Sequence, residues 1–129
     1  MIKTIVDEVH PDIINMIGAE CPFYTLAGLE FDIDKVPFIL TLQTALSDPD
    51  FLRNYPMESH IYEENVQVEQ ALFKHCHYIA HDSSWYRKVA SRYNPTAQFV
   101  RYTFFMPRYN IDTNVNKEFD FVYYAANIS

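Results

Sequence analysis

Along residues 29–34, LEFDID, apolar and acidic positions alternate, with Leu29, Phe31 and Ile33 on one side and Glu30, Asp32 and Asp34 on the other. That period of two predicts a half-buried strand, bounded at 26–33. Upstream, KTIVDEV has the composition of a short strand, and HPDIINMIGAE reads as a helix with Pro11 at its first position, where a missing N–H costs nothing. Downstream, PFILTLQTALSD carries Phe38, Ile39, Leu42 and Leu46 at helical spacing behind Pro37, and SDPDFLRNY opens a second short helix at Pro49 behind a Ser or Asp cap.

Residues 60–81 read as one long helix whose apolar stripe runs through Ile61, Val68, Leu72, Cys76 and Ile79, within about a 90° arc. A further helix, SSWYRKVASRY, starts behind Ser83 or Ser84 and stops before Asn94 and Pro95. The middle of the chain, 37–93, is therefore expected to be helical. In the last third, AQFVRYTFFM and EFDFVYYAA are β-rich runs flanking PRYNIDTNVNK, whose Pro, Asn and Asp mark a loop. This predicts an antiparallel hairpin over 97–126. Each of its strands is apolar on both sides, as expected of strands covered on both faces, by helices or by another subunit.

The expected fold is one α+β domain spanning 1–129, with a small antiparallel sheet (26–33, 98–106 and 118–125) against about four helices. A chain of 129 residues is long enough to bury a core without disulfides or metal. Cys21 and Cys76 stand far apart with no C-x-x-C partner, which suits two buried thiols in a reducing compartment. The N-terminus has acids at Asp7, Glu8 and Asp12 and no continuous apolar run, so no signal peptide or membrane span is expected, and the location expected is intracellular, in host cytoplasm or a virion.

Charge changes the picture more than composition does. Residues 1–82 hold 14 acids against 4 bases, whereas 83–111 hold Arg87, Lys88, Arg92, Arg101 and Arg108 with no acid. Those five bases are interleaved with aromatics and form a candidate nucleic-acid patch, since Arg and Lys neutralise phosphates while aromatic rings stack on unpaired bases. The net charge of -7 opposes long-range approach to a polyanion, and the bases can equally answer the acids of this chain or of a neighbour.

Catalytic signatures are sparse. No phosphate-binding loop, dinucleotide fingerprint or nucleophile elbow is present, and two glycines could not build them. KHCHYIAHD, residues 74–82, is dense in potential ligands, and on a helix His77 and His81 would stand four apart on one face as two zinc ligands. Tyr78 occupies the place of the general-base Glu, so a solvated polar face is the expected role of both histidines, with no metal and no cofactor. A metal-dependent enzyme using His77 and His81 is the alternative, and Glu30, Asp32 and Asp34 could gather Mg²⁺ only with a fourth ligand.

With 10 Tyr and 10 Phe, aromatics make up 16% of the chain, more than a small domain usually buries. The expected function is therefore a non-enzymatic protein–protein interaction, through a protein partner or self-association, as in a phage or viral virion component or a small accessory or inhibitor protein. Its contact residues are expected to be Arg101, Tyr102, Phe104, Arg108, Tyr109, Tyr123 and Tyr124. Nucleic-acid binding through 83–111 is the competing reading.

Overall fold

The computed structural model describes residues 2–54 and 58–103. Its elements run α1 (Ile2–Val9), β1 (Ile14–Ile17), α2 (Pro22–Thr25), a 3-10 turn (Leu26–Glu30), β2 (Phe38–Thr41), α3 (Phe51–Asn54), α4 (Ser59–His75), β3 (Tyr78–His81), α5 (Ser84–Ala90) and β4 (Gln98–Arg101). The four strands form one sheet in the order β1-β2-β3-β4, and every pairing is parallel.

Among the described residues the sheet is thus parallel where an antiparallel one with a C-terminal hairpin was expected. The run AQFVRYTFFM does supply β4, but β4 pairs in parallel with β3, and the second expected hairpin strand lies outside the described residues. Strands of a parallel sheet read as continuous apolar runs, and at four residues each they are too short to display a period. This is why PFILTL, expected in a helix, forms β2. The helical middle expected over 37–93 is interrupted by β2 and β3, and the long helix of 60–81 stops at His75, with Cys76 in an extended cap conformation (φ -75°, ψ 138°).

Two N-terminal expectations exchange places. KTIVDEV lies in α1, where Lys3 and Asp7, four apart, pair at 2.7 Å, and HPDIINMIGAE contains β1. His10, with φ 50°, donates its N–H to the Val6 carbonyl at 3.0 Å and, with Pro11 behind it, ends α1. LEFDID is no strand, yet its alternation is honoured in burial: Phe31 is buried, Leu29 and Ile33 half-buried, and all three acids exposed. The helices at 51–54 and 84–90 match the expected ones, and Ser83 caps α5 by accepting the Trp85 N–H at 3.1 Å.

Register sorts the strand residues into two faces. Ile14, Met16, Phe38, Leu40, Ile79 and Phe99 share one face and join Leu72, Phe73 and Cys76 of the α4 region and Ala90 of α5 in a single apolar core. Burying its apolar residues at about 25 cal/mol per Å² is the main stabilising contribution. Asn15, Ile17, Ile39, Thr41, Tyr78, Ala80, Gln98 and Val100 share the other face, and none of them belongs to that core. Leu72 and Phe73 of α4 and Ala90 of α5 lie in the core against the first of these faces, as expected of crossovers of one hand stepping always toward the next strand. Both glycines are structural. Gly18 turns the chain after β1 at φ +83°, and a Cβ on Gly28 would stand 2.9 Å from Leu72 Cδ2 and 3.0 Å from Met16 Cε.

The loop after β2, residues 42–48, is held by side chains from two other elements, α4 and α5, and from the residue after β4. Tyr86 donates to the Gln43 carbonyl (2.6 Å), Tyr102 to that of Leu42 (2.9 Å), Tyr62 to that of Leu46 (2.7 Å), and Trp85 Nε1 to Asp48 (2.9 Å). Glu69, fully buried on α4, accepts the N–H groups of Leu46 (2.9 Å) and Ser47 (2.7 Å). Among the described residues, no helix is long and apolar enough to cross a membrane.

Candidate functional site

In an open parallel sheet, chemistry gathers beyond the carboxyl ends of the strands, where the loops into the next helices emerge. In a doubly wound sheet the ligand crevice opens where strand order reverses, and the order β1-β2-β3-β4 has no reversal. What stands at this end is a cavity of about 500 Å³ between β3, the start of α5 and the outer strand β4. His81, Asp82, Ser83, Ser84, Arg87, Phe99 and Arg101 line it.

Strand alternation aims His81 and Ile79 toward the helix layer, and parallel pairing sets His81 beside Arg101. His81 is only 5% exposed, its ring meets Phe99 edge-on at 6.2 Å, and its Nδ1 has no hydrogen-bond partner. Asp82 Oδ1 is likewise buried and unpartnered. Arg87 lays its guanidinium over the Phe99 ring at 5.5 Å, within the range of a cation–π contact. Arg87 and Arg101 are exposed and belong to none of the ion pairs found among the described residues.

A second cavity, of about 460 Å³, lies at the opposite end of β3 and is lined by Lys74, His75, Cys76, His77 and Asn94, among others. Two of its polar side chains are engaged: Asn94 donates to the carbonyls of Phe73 (2.8 Å) and Cys76 (2.9 Å), and His75 Nε2 meets the Phe31 carbonyl at 3.2 Å. Burial pushes the Cys76 thiol up to about 12, so it stays protonated and lacks the thiolate a nucleophile needs.

The histidine run therefore divides. His77 is exposed before β3 and His81 is buried at its end, so the reading of both as one solvated helix face is corrected for His81. Four residues of strand span about 13 Å, against about 6 Å for one helical turn, which separates the two as ligands. Among the described residues no three His, Cys, Asp or Glu side chains gather as a metal site. Asp32 instead pairs with Lys35 at 2.8 Å, and that hydrogen bond holds its carboxyl below the usual range.

Of the expected contact residues, Arg101 lines the cavity, and Tyr102 is half-buried with its hydroxyl on the Leu42 carbonyl. Phe104, Arg108, Tyr109, Tyr123 and Tyr124 lie outside the described residues. Of the basic patch, Arg87 and Arg101 meet in the cavity, while Lys88 and Arg92 are exposed at and just beyond α5. His81 was expected only as a helix-face metal candidate paired with His77, and its place beside Asp82 and the two arginines was missed because a helix was expected through residue 81. The signal available was YIAH followed by DSS, an apolar strand running into a capped helix.

Because the sheet follows sequence order, the charge division along the chain becomes a division across the molecule. The region from α1 to the start of β2, at one edge, holds Asp7, Glu8, Asp12, Glu20, Glu30, Asp32 and Asp34 against Lys3 and Lys35. The region from α5 through β4, at the other edge, holds Arg87, Lys88, Arg92 and Arg101 and no acid. The ion pairs found among the described residues join groups at most four apart in sequence, so none of them links the two edges.

Among the described residues, fold and site together define an α/β arrangement built on an ordered parallel sheet. Compared with known protein families, curated proteins and solved structures, the chain matches none.

Proposed function

We propose that this chain is a non-enzymatic interaction protein that associates with its own copies head to tail, the acidic β1 edge of one meeting the basic β4 edge of the next. The observation that carries the reading is the unanswered charge at the two ends of the sheet. Each edge also exposes an apolar residue, Ile17 (52%) on β1 and Val100 (48%) on β4. Among the described residues both outer strands have one unpaired side, and such a side is a template for adding a strand from another chain. Parallel addition of β1 to β4 would continue the sheet in register. A head-to-tail contact closes into a ring or runs on as a filament, which suits a subunit of an assembly such as a viral particle.

Native mass spectrometry across a salt series tests this. Oligomers are expected at low salt and their loss is expected near 0.5 M, where screening falls to a few ångströms. Lys88→Glu with Arg92→Glu should abolish them, because like charges would then face each other. A chain that stays monomeric at low salt, or an oligomer indifferent to both salt and charge reversal, would overturn the reading.

A further inference from the structure

We propose that the cavity beside β3 and β4 binds a small oxyanion that carries its own O–H donor. Hydrogenphosphate and a 2-hydroxycarboxylate are two sources of that chemistry. Three observations on the cavity wall converge. Arg87 and Arg101 supply positive charge that no acid among the described residues pairs with, and the arginine fork matches oxyanion geometry. His81 Nδ1 is a buried, unpartnered nitrogen in a residue only 5% exposed. Asp82 Oδ1 is a buried, unpartnered acceptor in the same wall.

Buried polar atoms in native proteins nearly always find partners, so two orphans on neighbouring residues of one cavity's lining point to a group that settles against them there. An aspartate beside the arginines repels a bare anion but accepts from an anion's hydroxyl. The donor is therefore part of the specificity: a site with a buried acceptor rejects a ligand that cannot satisfy it. The volume, about 500 Å³, falls within the usual range for small-ligand sites, and the rings of Phe99 and His81 give an apolar wall for a ligand's carbon part.

Paired probes test the proposal at constant ionic strength and at a salt concentration where the chain is monomeric, so that edge pairing plays no part. Phosphate is compared with sulfate, which has no O–H at neutral pH, and glycolate with acetate, which has no hydroxyl; each is titrated calorimetrically. The expected result is saturable binding of phosphate or glycolate, at least about tenfold tighter than its donor-less counterpart. Whichever of the two binds identifies the source. Arg87→Gln and Arg101→Gln, both on exposed side chains, should each weaken binding about tenfold or more, whereas Arg92→Gln should not. Asp82→Asn should narrow the gap between phosphate and sulfate. Absence of saturation with either probe, equal binding within each pair, or an Arg92→Gln effect as large as that of Arg101→Gln would overturn the proposal.

Discussion

Replacing Glu69 by Ala removes a carboxylate that is fully buried and holds two backbone N–H groups of the loop after β2. The loop cannot easily turn those groups outward, because Tyr62, Trp85, Tyr86 and Tyr102 each hold it by a hydrogen bond. Each buried N–H left without an acceptor costs about 1–3 kcal/mol, so the two together cost about 2–6 kcal/mol. Against this, burial raises the Glu69 carboxyl above its ordinary value, the bonds from Ser47 and Leu46 offsetting only part of the effect. Deleting a disfavoured charge returns some free energy, and the net loss at neutral pH is expected to be about 2–4 kcal/mol, a large share of the about 5–15 kcal/mol that holds a domain. Urea unfolding at pH 7 measures it, and a loss below about 1 kcal/mol would refute the assigned role.

The same carboxyl makes a pH prediction of definite sign. Its folded value lies above the unfolded one, so its contribution is fully present below the ordinary glutamate range, about 4.3, and is lost as pH rises through the folded value. Wild type should therefore lose stability relative to Glu69→Gln as pH is raised from about 4 toward neutrality. A difference that stays flat over that span would contradict the burial argument.

Gly28→Ala should cost about 1–3 kcal/mol by thermal or urea unfolding, since the new Cβ would crowd Leu72, Met16 and Phe38, and no measurable loss would mean that the core yields there. His77→Ala should change stability by less than about 0.5 kcal/mol, whereas His81→Ala should cost about 1–3 kcal/mol, because only His81 is buried among sheet and helix residues. Equal effects of the two would argue that residues 78–81 are not the strand described.

What the sequence made legible follows from how far each signal reaches. Ser83 before an apolar run marks a helix start within three residues, and α5 was found. The alternation of LEFDID correctly divided buried from exposed side chains, because burial depends on side-chain polarity, while the backbone there is the end of a 3-10 turn and the bend and turn that follow it. The parallel pairing was not legible. It is a relation between β2, β3 and β4 across crossovers of tens of residues, and a four-residue apolar run is compatible with helix and strand alike. Aromatic content alone does not say which rings are spent inside the chain. Tyr62, Tyr86 and Tyr102 pack within this chain and spend their hydroxyls on its own loop, although the same residue types would anchor an interface. Of the cavity, Arg87 and Arg101 stand out in the sequence for their charge and His81 as a possible ligand beside His77; its grouping with Asp82 and the arginines depends on the helix stopping at His75.

The order of the strands bears on how the chain reaches this state. Among the described residues no strand is inserted between two already paired, so this part of the sheet can be laid down as it is synthesised, each new strand finding its partner already formed at the growing margin. Loop closure at every step spans a single crossover, and premature release after β3 would forfeit an outermost strand and leave the remaining pairings intact.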